Sequence, residues 1–220
     1  MTSGEDADNP AMPSGDAIAA SLDWVDEVLS TARSVRRKLD FQRSIPRQVL
    51  YDCIDVAVQA PTGAHGEAWR FVVVDAPAQK QALAQLYREV LLELLEARGM
   101  PLKATHKALI ERLHEIPAMI FVCVDGQPQD AQIASQVAYY GSILPAGWSL
   151  MLALRARGIG ATWTTLLSAR QQAVAEILGM PDGAMHTVML PVGYTQGAVL
   201  RRAARLPAAQ VTYWNRWGDG

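Results

Sequence analysis

Residues 59–74, QAPTGAHGEAWRFVVV, join the end of a helical pattern to a turn of small residues and then to a run of apolar β-formers. Pro61 fixes φ, and Gly63 is free to adopt a positive φ, so this turn can lie flat against a ligand. A tight loop between a helix and a buried strand is a common place for donors beside a planar ligand. Loop statistics alone also allow an ordinary helix-to-strand connection.

The densest group of basic side chains lies upstream, in residues 33–38, RSVRRK. A guanidinium group can donate two hydrogen bonds to two oxygens of one phosphate, and the Ser34 hydroxyl adds another donor. This segment is therefore a candidate phosphate site. The alternative is a charged stretch that is simply solvated.

Size and charge set limits on the class of protein. The chain has 220 residues, half of them apolar, and a net charge of −2, so it can bury a substantial core and has no basic field to attract nucleic acid. Cys53 and Cys123 lie in apolar runs and are expected to be buried, without a disulfide or a metal site. We identify no basic-then-apolar signal pattern at the N-terminus, and we expect no apolar run to reach the length of a membrane span. The sequence therefore predicts a cytoplasmic protein without a membrane partner.

The pattern predicts an α+β protein with four or five strands. Residues 1–16 carry four acids and no base and are expected to be disordered, and residues 17–220 are expected to form one domain with a C-terminal arm from about residue 195. Helices are expected at 18–32, 46–58, 79–98, 102–114 and 168–178, the last one capped by Ser168, and strands at 70–74, 118–124, 158–166 and 187–192.

Two segments suggest contact with a partner chain. Residues 131–155 are apolar nearly all round, which is typical of a central or interface helix, and Pro145 must kink or divide it. The C-terminal arm carries Tyr213, Trp214 and Trp217, which need a surface to pack on. His106 and His114 are interpreted as surface residues, because metal-binding partners at suitable spacing are absent.

No sequence motif identifies a catalytic nucleophile. There is no Gly-x-Ser-x-Gly elbow and no Walker loop, and Gly158-Ile159-Gly160 is too short for a dinucleotide fingerprint. These glycines are better explained as a tight turn into a strand. The residues alone therefore support an α+β domain with one possible anion site.

Four segments in order, however, resemble the FMN-dependent nitroreductase family. They are Arg33-Ser34-Val35-Arg36, the loop beginning Ala60-Pro61-Thr62-Gly63, the stretch from Gly158 to Trp163, and Arg205-Leu206-Pro207. The resemblance implies a nitroreductase-like fold, with a mixed or antiparallel sheet surrounded by helices, in an interlocked homodimer with flavins at the subunit interface.

The resemblance also implies roles for individual residues. Arg33, Ser34 and Arg205 would bind the FMN phosphate, and Arg36 would place positive charge beside N1 and O2 of the ring. Further flavin contacts are implied for Pro61, Thr62, Gly63, His65, Glu67, Trp163, Thr164 and Thr165, the last three reaching a cofactor held mainly by the other subunit. His65 and Glu67 stand where the family usually has Asn and Gln, which changes the donors and acceptors available there.

The implied activity is that of an FMN-dependent NAD(P)H oxidoreductase with ping-pong kinetics. Hydride would pass through flavin N5 to a nitroaromatic, a quinone or a related small acceptor, and no side chain need act as catalyst. The changes at His65 and Glu67 leave open a flavin-sequestering protein with little or no turnover. The family's dehydrogenases, dehalogenases and flavin-fragmenting synthase leave open a different reaction.

Overall fold

The structure is a computed structural model that describes residues 15–63 and 66–218, without the side chains of residues 15–20 and Thr105. His65 lies outside the described residues, as does the predicted disordered tail except for its last two positions. Those two positions are helical, so the first helix begins slightly earlier than the apolar pattern predicts.

Seven helices and five strands make up the described chain. The helices are α1 (Gly15–Thr31), α2 (Arg47–Ala57), α3 (Pro77–Ala97), α4 (Ala104–Arg112), α5 (Ile133–Gly141), α6 (Leu144–Ala156) and α7 (Gln171–Leu178). The strands are β1 (Leu39–Asp40), β2 (Trp69–Val74), β3 (Ala118–Asp125), β4 (Ile159–Ala161) and β5 (Ala184–Thr195).

The strands form one sheet in the order β1-β5-β3-β2, and β4 also pairs with β5. All of these pairs are antiparallel. This arrangement of helices around a sheet confirms the α+β prediction. The two-residue strand β1 was not predicted, because two residues are too few to show an alternating pattern.

Strand β3 explains how both faces of the sheet are covered. Its residues Ala118 to Val124 are all buried, and alternate side chains belong to two different core clusters. Met119, Phe121 and Cys123 pack with residues of α3 and α4, whereas the intervening side chains pack with residues of α2 and α6. Because successive side chains of a strand point to opposite faces, the continuous apolar run correctly predicts a strand buried on both sides.

The chain divides into two compact units. Residues 32–200 form the larger one and contain the whole sheet. The smaller unit comprises α1 and residues 201–220. The apolar side chains Leu22, Val25 and Leu29, which recur at helical spacing in α1, are each about half exposed.

One helical stretch contradicts the expectation about apolar length. Ile133–Ala156 is long and apolar enough to cross a membrane by length and composition alone. In the structure it is broken at residues 142 and 143, next to Pro145, into α5 and α6. Pro145 therefore divides the segment as predicted, and six residues of α6 are buried, whereas α5 has no buried residue.

Two local expectations are wrong. The strand predicted at 158–166 is regular only at Ile159–Ala161, although pairing with β5 continues to Thr164 before the 3₁₀ helix Leu166–Arg170 begins. Ser168 does not cap α7. Its hydroxyl instead donates to the carbonyl of Thr187 at 3.0 Å, and this bond ties the 3₁₀ helix to β5.

Candidate functional site

A cavity of about 280 Å³ in the larger unit collects four of the predicted site residues: Arg36, Trp163, Thr164 and Thr165. Helices α3 and α4 complete its lining with Tyr87, Leu91, His106 and Leu109, and Leu166 closes the set. We call this cavity the cleft. Arg36 is separated from Trp163 by more than 120 residues of sequence, so their shared position is a product of the fold.

Backbone pairing brings these distant segments together. Val35 donates its N–H to the carbonyl of Ala161 at 2.8 Å, and the Thr162 hydroxyl donates to the carbonyl of Val35 at 2.8 Å. Ser34 Oγ accepts the N–H of Trp163 at 3.1 Å, and a hydroxyl that accepts one bond can still donate another. The Arg33–Arg36 segment thus lies along β4 and its continuation, held by bonds from Ser34 and Val35 to three successive residues, 161–163.

Gly160 permits this close approach. A Cβ at this position would lie 2.9 Å from Leu39 Cδ2 and 3.0 Å from Val35 Cβ, so a side chain would push the two segments apart. Gly158, by contrast, has a φ of +73° and makes the turn from α6 into β4. The sequence interpretation as a tight turn is right for Gly158, and Gly160 serves packing.

Tyr87 joins the helical side of the cleft to the strand side. Its hydroxyl lies 3.3 Å from Thr164 Oγ1, within hydrogen-bond distance. Burial raises the pKa of Tyr87, and the bond to Thr164 and the charge of Arg36 only partly oppose that rise. Tyr87 is therefore a neutral phenol at physiological pH.

The cleft favours acceptors and anions. Its lining carries a guanidinium, an imidazole and three hydroxyls but no carboxylate. Among the described residues, Arg36 forms no salt bridge. Arg36 is half-buried and Arg33 is exposed. A half-buried cation without a counterion favours a ligand that supplies negative charge or acceptor oxygens.

Trp163 is both a packing residue and a cleft residue. Its ring lies against α6, where a Cβ added at Gly147 would be 3.4 Å from two ring carbons. The side chain remains partly exposed and lines the cleft. The two interpretations of this aromatic residue, core or ligand contact, are therefore compatible.

The loop at residues 59–68 is anchored elsewhere. The N–H of Gly63 donates to Ser142 Oγ at 2.9 Å, and the Thr62 hydroxyl donates to the carbonyl of Gly66 at 2.9 Å. Pro61, Thr62, Gly63 and Glu67 are exposed. Within the described chain, none of these four residues lines the cleft.

Arg205 belongs to the smaller compact unit and is exposed. Its joint action with Arg33 and Ser34 on one phosphate stays a prediction, as does the role of Glu67. The carbonyl of Glu67 accepts a bond from Arg70 Nη1 at 2.9 Å, whereas its carboxylate forms none of the ion pairs among the described residues.

The sequence interpretation missed two residues of the cleft, Tyr87 and His106. Tyr87 lies among apolar residues of α3 and resembles any core aromatic residue. His106 is not a surface residue, since its ring nitrogen Nδ1 is buried and the residue lines the cleft. The sequence around His106, near the start of a short basic helix, has no pattern that predicts a cavity-lining position.

The larger unit is thus a helix-flanked antiparallel sheet with a basic segment held along a glycine-containing strand. A sequence profile of the nitroreductase family matches residues 29–194, three quarters of the chain. The chain therefore belongs to the nitroreductase family, as its motifs indicate.

Named relatives and a solved structure agree with this assignment. The chain is 30% identical over 176 residues to iodotyrosine deiodinase 1 of Mus musculus, and the match covers 76% of the chain but only 61% of the mouse protein. It is 28% identical to an NADH dehydrogenase of Thermus thermophilus, covering 83% of the chain and 91% of that protein. An iodotyrosine deiodinase solved with FMN and 3-iodo-L-tyrosine shares the fold, with a TM-score of 0.67 at 21% identity and coverage of 87% and 98%.

Proposed function

We propose that the chain is an FMN-dependent oxidoreductase that takes reducing equivalents from NAD(P)H and delivers them to a small aromatic acceptor. The observation that carries the proposal is the cleft, in which Arg36 and Trp163–Thr165 meet in a chain of the nitroreductase family. The FMN in a solved relative and the NADH in the name of another support the choice of cofactor and reductant.

The residues of the cleft fit a flavin. Arg36 would hold the acceptor-rich edge of the ring, and the Thr164 and Thr165 hydroxyls would serve as further donors. Arg33, Ser34 and Arg205 would bind the phosphate. Pro61, Thr62, Gly63, His65 and Glu67 would line the ring from a loop that is anchored at Ser142, outside the cleft.

The bound FMN would supply the redox chemistry, accepting a hydride from the nicotinamide and passing reducing equivalents to the acceptor. The protein's own contribution is orientation and electrostatics. Arg36 stabilises negative charge at the ligand edge, and the apolar surface of Leu91, Leu109 and Leu166 excludes water from the cleft. Because the lining holds no carboxylate, nothing in it repels a ligand that carries negative charge.

Purified protein should carry FMN and oxidise NADH or NADPH when a nitroaromatic or a quinone is added under anaerobic conditions. Free FMN at the same concentration is the matched control. Protein that binds FMN without nucleotide oxidation would favour the flavin-sequestering alternative. Protein that cannot be loaded with FMN at all would refute the proposal.

Reductive dehalogenation is a second candidate reaction, favoured by the similarity to iodotyrosine deiodinases. The same preparation should be assayed for iodide release from 3-iodo-L-tyrosine with dithionite as reductant. Iodide release that exceeds nitroaromatic reduction would make a halogenated phenol the better substrate class. The chain spans only 61% of the mouse protein, so similarity to it supports membership of the family but does not by itself assign the deiodinase reaction.

We further propose that the protein acts as a homodimer. Ile133 and Val137 lie one turn apart on α5 and are 82% and 66% exposed, and Trp148 on α6 is 40% exposed. In the smaller unit, Trp214 and Trp217 are exposed as well. Apolar surface of this kind is typical of interfaces. Sedimentation of the full chain tests the proposal, and deletion of residues 210–220 should weaken both the dimer and flavin retention.

A further inference from the structure

His106 is the one ionisable side chain of the helical side of the cleft besides Tyr87, and neither sequence pattern nor family motif gives it a role. It lies in the first turns of α4, beside Leu109, and faces the same cavity as Arg36 and Thr164. The ring is therefore placed where an acceptor bound in the cleft would meet it.

The two ring nitrogens of His106 differ in their surroundings. Nδ1 is buried and within the described residues has no hydrogen-bond partner, whereas Nε2 is not one of the buried ring nitrogens that lack a partner. An unpaired buried N–H costs free energy, so the proton is better placed on Nε2 than on Nδ1. With the proton on Nε2, the N–H donor that His106 can offer in the cleft is Nε2–H.

The rest of the cleft selects what this donor can bind. Every charged or polar group in the lining is a cation or can donate a hydrogen bond, and none is a carboxylate. Leu91, Leu109 and Leu166 supply apolar surface for a ring. A flat aromatic molecule that carries an anionic oxygen satisfies both features.

We infer that His106 is a specificity-determining residue, which donates Nε2–H to an anionic oxygen on the aromatic acceptor. The inference rests on the proposed function, because it assigns a role within the same cleft. Arg36 and the threonines are the residues that would hold the flavin. His106, on α4, is left to recognise the acceptor, so its removal should affect the acceptor and not the cofactor.

Three variants separate this role from a structural one. His106→Leu removes the donor, and His106→Gln restores an amide N–H near the position of Nε2. His114→Leu is the matched control, because His114 is exposed in the 3₁₀ helix that follows α4 and does not line the cleft.

Benzoate, which cannot be reduced, gives an equilibrium readout through changes in the absorbance of bound FMN. A hydrogen bond to a charged group predicts a roughly tenfold or larger loss of benzoate affinity in His106→Leu, with recovery in His106→Gln. In His106→Leu, the ratio of the KM for 4-nitrobenzoate to the KM for nitrobenzene should rise by a similar factor. The kcat values for the two substrates should change by much less than this factor. His114→Leu should match the wild type.

The outcomes distinguish this inference from the proposed function. Failure of the wild type to bind FMN removes the proposed function and this inference together. FMN binding and nitrobenzene reduction, combined with equal benzoate affinity in wild type and His106→Leu, overturn only the inference. A loss of FMN affinity in His106→Leu as large as the loss for benzoate places His106 in the cofactor site and also overturns it.

Discussion

The cleft and the loop at residues 59–68 carry motifs of the same family, yet the structure holds them in different ways. The strand side of the cleft is fixed by backbone pairing of Val35 and Thr164 to the sheet. The described residues of the loop are mostly exposed, and Gly63 is tied to α5 and its end through Ser142. Sheet-held groups keep their positions without a ligand, whereas a loop with few anchors can adjust to one. We therefore infer that the cleft is preformed, and we propose that the loop completes the site.

Acid should produce the largest effect on the sheet-held region. His186 on β5 is buried opposite Cys123, with its ring against Phe121, and its ring nitrogens have no partner among the described residues. Burial lowers the pKa of His186 from 6.5 to about 4. The unfolded chain therefore takes up a proton at a higher pH than the folded chain does.

It follows that stability is lost as pH falls from about 6.5 to about 4, with this histidine contributing on the order of 3 kcal/mol. The loss should be complete below that range, and above pH 7 this group should have no effect. Urea unfolding of wild type and His186→Leu at several pH values measures it. Parallel stability curves for the two proteins would show that His186 plays no part.

Gly160→Ala should have the next largest effect, because its Cβ would lie 3.0 Å from Val35 Cβ, an atom held to the backbone. Overpacking at such a site costs about 2 kcal/mol, and FMN affinity should fall because the Arg33–Arg36 segment shifts. Gly141→Ala is the control, since a Cβ there meets nothing within 4 Å. Equal stability of the two variants would mean that the close approach does not depend on Gly160.

Gly63→Ala probes the loop with the same substitution and should cost less, about 1 kcal/mol. Its Cβ would lie 2.8 Å from Ser142 Oγ, so the hydroxyl must move and the bond from the Gly63 N–H weakens. In the double variant Gly63→Ala/Ser142→Ala the clash is removed. A thermodynamic cycle should therefore show favourable coupling between the two sites, and strictly additive costs would remove Ser142 as the loop's anchor.

The contrast between cleft and loop also explains what the sequence could predict. The continuous apolar run of β3, the division at Pro145 and the exit of the loop into β2 follow from local pattern, and all three are confirmed. Arg36 and Trp163 were identified by motif resemblance. Their meeting in one cavity required long-range strand pairing, which local periodicity does not encode.

Other features had no local signal at all. Tyr87 and His106 reach the cleft only because α3 and α4 pack above the strand side, so their positions depend on tertiary packing. Ser168 looked like a helix cap because serine favours that position. In the folded chain, the Ser168 hydroxyl donates to the carbonyl of Thr187 instead. Ser168 lies within the 3₁₀ helix, and the residue that precedes α7 is Arg170.

We propose that the cleft, and not the basic segment as a whole, holds the cofactor. Arg36 and Arg37 are adjacent and carry the same charge, but only Arg36 lines the cleft, and Arg37 is exposed. Titration of apo-protein with FMN should give about tenfold or weaker affinity for Arg36→Ala, because a charge-assisted bond is lost, and unchanged affinity for Arg37→Ala. Equal losses in both variants, or none in either, would contradict the assignment of the flavin to the cleft.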